Sequence, residues 1–133
     1  MHRPFFIWAA FLAFIAVAFG ALGAHALREV LDPKALASFE TGVRYQFYHA
    51  LALFIAGFAY GQRPEPLFRW AGRLFIAGTI CFSGSIYLLS TRELFGTGQL
   101  SWLGPVTPLG GLLFLSAWLS LGWGAWRLDQ NKG

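Results

Sequence analysis

The sequence predicts an all-α, integral membrane four-helix bundle with an amphipathic, partly interfacial extension at the start of its second helix. Three observations carry that expectation. Four long apolar runs fill most of the 133 residues. Charged residues are 12% of the chain and apolar ones 56%, against about 25% and 45–50% in soluble domains. Phe contributes 14 residues and Trp 6, a load that suits lipid-facing surfaces and interfacial belts. At this length residues 1–133 form a single transmembrane domain.

The first span is expected over about residues 4–27, with Pro4 in the first helical turn. His2-Arg3, the apolar run from Phe5 to Phe19 and Ala24-His25-Ala26 together imitate a signal peptide with an A-x-A cleavage site. The apolar run continues to Leu27, however, and a bilayer needs about 20 residues, so a retained helix is the better reading. Arg28 to Asp32 is a polar link. Asp32-Pro33 then joins a capping side chain to a proline at the first helical position. One helix is expected to run from Pro33 to Tyr60, about 42 Å at 1.5 Å per residue. That exceeds the hydrocarbon core, so its first turns belong to the headgroup layer or cover a neighbour, and residues 45–60 span.

Gln62-Arg63-Pro64-Glu65-Pro66 is a proline-stiffened turn into the third span, residues 67–89, with Arg69, Trp70 and Arg73 as interfacial anchors. The longest connection, from Thr91 to Val106, carries Gly96, Gly98, Gly104 and Pro105. Thr107-Pro108 repeats the cap-plus-proline signature and opens the fourth span, residues 108–126, with Thr107 as N-cap. Four spans put Arg3, Arg63, Arg69, Arg73, Arg127 and Lys132 on one side and Arg28, Lys34, Arg44 and Arg92 on the other. The larger group marks the cytoplasmic side, which places both termini there.

The formal charge of +4 is dispersed, and no basic run exceeds two residues, which gives a nucleic-acid partner nothing to hold. Cys81 is the single cysteine. An internal disulfide and Cys-pair metal motifs are therefore excluded. Helices in lipid associate through close packing and polar contacts. Small residues at i, i+4 supply such stripes: Ala16, Gly20 and Ala24; Ala52 and Ala56; Ala77, Cys81 and Ser85; Ser116, Ser120 and Gly124. On a helical wheel Thr41, Gly42, Tyr45, His49, Ala52 and Ala56 share one face, which is expected to point inward, with Gln46 at its border.

Gly20-Ala21-Leu22-Gly23-Ala24-His25-Ala26-Leu27 and the block from Phe39 to Leu51 resemble the Domain of Unknown Function 423 family, small bacterial membrane proteins similar to the animal transmembrane protein 256. Phe82-Ser83-Gly84-Ser85-Ile86-Tyr87-Leu88 and Gly104-Pro105-Val106-Thr107-Pro108-Leu109-Gly110-Gly111 resemble its later blocks. The resemblance implies a four-span protein of the bacterial cytoplasmic (inner) membrane. It implies no chemistry.

The candidate functional cluster is polar: His25, Glu40, Arg44, Tyr45, Gln46, Tyr48 and His49. Ionisable groups at membrane depth are costly and usually have a role. His25 and His49 are weak candidates to share a haem iron, or a copper ion with Tyr45 or Tyr48. The plainer reading is that each stitches helices together. Glu40 and Arg44, at i, i+4 with the acid first, suit an ion pair at the interface. Tyr45, Tyr48 and Gln46 suit either a polar vestibule or an aromatic belt at the headgroup level. No catalytic set, P-loop or zinc spacing appears, and no cofactor is expected. The expected function is non-enzymatic: a structural or accessory protein whose partners are the bilayer and other membrane proteins or itself. The rivals are an oligomeric small-molecule or ion conduit and a His25–His49 redox component.

Overall fold

The computed structural model describes residues 2–96 and 98–130. Four long helices and two short elements follow one another: α1 (Arg3–Ala24), α2 (Ala26–Val30), α3 (Pro33–Gln62), α4 (Pro66–Thr91), a 3-10 turn (Ser101–Leu103) and α5 (Val106–Gln130), with no strand among the described residues. Lys132, counted above toward the orientation, lies outside the described residues.

Several boundaries follow from local chemistry. Asp32 accepts a hydrogen bond from the Ala35 amide at 2.9 Å, satisfying one of the free N–H groups of the α3 start. Pro33 and Pro66 sit in the first turns of α3 and α4. Gly96 and Gly98 turn the long connection with φ of 59° and 68°, conformations in which a Cβ is strained. Two expectations are corrected. The first helix stops at Ala24 rather than Leu27, because His25 leaves helical geometry (φ −115°, ψ −83°) and the chain restarts as α2. Thr107 is not an N-cap. Helix α5 already begins at Val106, and the Thr107 hydroxyl is bonded to that of Ser85 on α4.

The long helices pack in sequence: α1 on α3, α3 on α4, α4 on α5. Each neighbour is antiparallel. Along α1 and α3, Phe5 meets Gly57, Gly20 meets Val43 and Gly23 meets Phe39. Along α4 and α5, Phe68 meets Gly124, Gly78 meets Phe114 and Phe82 meets Gly110. At Gly23, Gly78 and Gly124 an aromatic ring is seated on a glycine, and at Gly110 the Phe82 backbone itself comes close; such contacts let helices approach where lipid offers no hydrophobic drive. Phe5 also lies against Gly72 of α4, so α1 covers the seam between α3 and α4. Phe75 and Leu53, both 0% exposed, form the centre. α1 and α5 are not a packing pair. The bundle is therefore a central α3–α4 pair flanked by two helices, not a ring around a channel.

The interior is apolar with a few polar groups set into it, and the outer surface is apolar as well. Gln46, His49, Thr79, Ser83 and Ser85 are buried, whereas Ile7, Phe11, Phe14, Ile55, Phe58, Leu115 and Leu119 are exposed. Among the described residues three segments are long and apolar enough to cross a membrane: α1, α4 and the stretch Ser101–Gln130 that contains α5. Helix α3 is as long but falls short in apolarity, because even its second half, beyond Lys34, Glu40 and Arg44, carries Tyr45, Gln46, Tyr48, His49 and Gln62.

Candidate functional site

The polar residues inside the bundle form two hydrogen-bonded clusters, both anchored on α3. In the first, Gln46 reaches both flanking helices. Its Nε2 donates to the Leu12 carbonyl of α1 at 2.8 Å, and its Oε1 accepts the Tyr87 hydroxyl of α4 at 2.7 Å. One level away, Ser83 Oγ donates to the Gly42 carbonyl at 2.7 Å. Gly42 leaves room for this, since a Cβ there would lie 2.9 Å from the Tyr87 ring. The Tyr87 ring in turn packs edge-on against Phe19 of α1, with centroids 4.9 Å apart.

The second cluster ties α3 to α5. His49 donates from Nδ1 to the Tyr45 carbonyl at 2.6 Å, and its Nε2 accepts the Trp118 indole N–H at 3.2 Å. One donor and one acceptor make this the neutral Nδ1–H tautomer. The ring stacks on Phe114 with centroids 3.5 Å apart and planes 4° from parallel. A carbonyl, an indole and a phenyl ring thus use both nitrogens and a face of the imidazole.

This geometry corrects the expected inward face. Tyr45 is 40% exposed, and Gln46, expected at the border, is 3% exposed and central. Tyr48 is exposed and faces outward. Glu40 and Arg44 are exposed and flank a groove of about 210 Å³ between α1 and α3. Their ion pair does not form: Arg44 donates instead to Thr41 Oγ1 at 3.3 Å, while Glu65 and Arg127 join the ends of α4 and α5 at 3.3 Å.

His25 and His49 do not meet. Gly23 faces Phe39, and His25 lies beyond that level toward the α3 start. His49 is ten residues further along α3 in the other direction, about 15 Å by helical rise. Two ligands of one metal ion each sit about 2 Å from it. Within one copy of the chain that separation keeps the two rings from sharing one ion, and the Nε2 lone pair of His49 is taken by Trp118.

The small-residue stripes are partly displaced. On α1, Ala16 is buried and Gly20 approaches Val43, but Ala24 is exposed and Gly23 takes its expected place against Phe39. Ser85 bonds Thr107, and Cys81 is a half-buried free thiol. On α5, Ser120 crosses to the Leu67 carbonyl at 2.9 Å and Gly124 receives Phe68. Ser116 is exposed and bonds only within its own helix, to the Leu112 carbonyl. Tyr87 and Trp118 are central here and absent from the expected cluster. A signal for Tyr87 existed: Thr79, Ser83, Tyr87 and Ser90 recur at helical spacing in an otherwise apolar segment.

A family described as a protein of unknown function, DUF423, matches residues 19–111. The UPF0382 membrane protein YwdK of Bacillus subtilis is 41% identical over 120 residues, covering 90% of this chain and 93% of its own. A UPF0382 membrane protein of Staphylococcus haemolyticus is 40% identical over 119 residues, covering 90% and 92%. The UPF0382 inner membrane protein YgdD of Escherichia coli is 37% identical over 129 residues, covering 97% and 94%. No solved structure matches the chain.

Proposed function

Since the chain belongs to the DUF423 family, with relatives named as membrane proteins, we propose that it is a four-span, non-enzymatic accessory protein of a bacterial cytoplasmic membrane. Both termini face the cytoplasm in this reading. It acts by associating with other membrane proteins or with itself.

One observation carries the reading: in its second half α3 uses its amide and imidazole inside the bundle and presents a mostly apolar side outward. Gln46 and His49 are buried, while Phe47, Leu51, Ile55 and Phe58 are exposed. A helix that hides its amide and imidazole and shows Phe, Leu and Ile suits lipid on its outer side, so α3 crosses despite its modest apolarity. The same bonding gives Gln46 and His49 a structural duty. The surface left to do work is the outer one, where Glu40, Arg44, Tyr45 and Tyr48 interrupt the apolar belt.

Site-specific photocrosslinking in the native host tests this. A photoreactive phenylalanine at Tyr48 is expected to give one discrete protein adduct, to a second copy or to a partner, and the same residue at Leu115 none. Lipid adducts alone at both positions would contradict the accessory reading.

A further inference from the structure

The end of the bundle away from the termini holds a cavity that the helix stitching does not use. Helix α1 ends at Ala24, level with Phe39, and α5 begins near Ser85, which Thr107 touches. The first turns of α3 and the last turn of α4 therefore project beyond both flanking helices. Between them and the link after α2 lies a cleft of about 390 Å³, within the range of small-ligand sites.

Its lining is amphipathic and balanced in charge. Lys34 and Arg92 bring two cations, Asp32 and Glu93 two carboxylates, above an apolar floor that includes Ile86 and Leu89. Asp32 is occupied in capping α3. Lys34 and Glu93 are bonded to no other described residue and not to each other. Phe95 and Trp102, 75% and 68% exposed, lie in the connection that borders the cleft. Exposed aromatic rings beside charged groups mark the headgroup level of a bilayer.

We infer that this cleft binds the headgroup of an aminophospholipid: its phosphodiester at Lys34, its primary ammonium at Glu93, and the start of its acyl chains along Ile86 and Leu89. The chemistry selects this class. A phosphatidylglycerol headgroup brings the same phosphodiester to Lys34 but offers Glu93 only neutral hydroxyls and no cation. A choline headgroup carries the right charges but has no N–H to donate to the carboxylate.

The full-length protein, delipidated in mild detergent, would be titrated with dihexanoyl phosphatidylethanolamine, phosphatidylcholine and phosphatidylglycerol, with occupancy read by native mass spectrometry. Phosphatidylethanolamine is expected to bind about tenfold more tightly than the other two, the value of one charge-assisted hydrogen bond. Lys34→Gln and Glu93→Gln should each weaken it by about five- to tenfold, and Glu93→Gln should also erase the preference over phosphatidylcholine. Arg63→Gln, at the opposite end, should leave binding unchanged, and circular dichroism would show that all variants keep their helix content. Equal affinity for the three lipids, or unchanged binding in both cleft variants, would overturn the inference. Competition by water-soluble glycerophosphoethanolamine at equal concentration would overturn the lipid assignment.

Discussion

Substituting Gly110 by alanine is expected to force α5 off α4, and the cost can be worked from the contact. A Cβ at this position would lie 2.7 Å from the Phe82 Cα, where carbon atoms normally rest about 3.5–4.0 Å apart. The obstacle is backbone, so no rotamer change relieves it, and the helices must separate by about 1 Å. A gap of that size forfeits a quarter to a half of the dispersion energy across the contact. Phe114 and Ala117, 4% and 0% exposed, lie on the same α5 face. With about 50 heavy-atom contacts at ~0.1–0.2 kcal/mol each, the loss comes to about 2–3 kcal/mol, the upper range for overpacking. Alanine also gains up to about 1 kcal/mol of helix propensity over glycine. Gly122→Ala, in the same helix with nothing within 4 Å of its Cβ, makes that gain alone, so the difference between the two variants isolates the contact. Thermal unfolding in detergent, followed by circular dichroism, should place Gly110→Ala about 10 °C below Gly122→Ala, at roughly 3–5 °C per kcal/mol for a chain of this size. Equal melting temperatures would refute the packing described for α4 and α5.

Gln46→Leu and Tyr87→Phe should each destabilise by about 1–2 kcal/mol, since each leaves a buried partner unpaired. Their double-mutant cycle should show coupling of about 0.5–2 kcal/mol, and strict additivity would deny the bond between them. Ser120→Ala, which breaks a bond between helices, should cost about 0.5–1 kcal/mol, and Ser116→Ala should be neutral within the error of the same melting assay. His2, at the mouth of α1, is held below its ordinary pKa, first by burial and then by nearby positive charge that includes Arg69 and Arg73. The folded state therefore binds fewer protons there than the unfolded state. Its contribution is complete above the usual histidine pKa of about 6.5 and is lost as the pH falls below it. His2→Gln should flatten the decline in melting temperature between about pH 7 and 5, and an unchanged slope would assign that decline to other groups.

The sequence made some features legible because they depend on neighbours in the chain. The start of α3 follows from Asp32-Pro33, and the α3–α4 turn from its two prolines. Partner choice across helices is not a local property, and most of the misreadings lie there. Nothing near Gly110 says that Phe82 faces it, and nothing near Gly72 says that Phe5 does. The wheel placed the α3 face correctly to within about one position, yet that one position exchanged Tyr45 for Gln46 as the inward group. In α1 the same slip put Ala24 where Gly23 packs. The misread Thr107 shows the converse: a valid local cap signature yielded to a hydroxyl on another helix.

The crossing of α3 is the claim on which the four-span account rests, and the side of the membrane on which Gln62 lies tests it most directly. A single cysteine at Gln62, in a Cys81→Ser background, would be treated in intact cells with a membrane-impermeant maleimide, with Glu29→Cys, in the link before α3, as the comparison. With four spans and a cytoplasmic N-terminus, Gln62→Cys stays unlabelled until the cells are permeabilised, while Glu29→Cys labels at once. Labelling of both positions from the same side would mean that α3 lies on the membrane instead of through it.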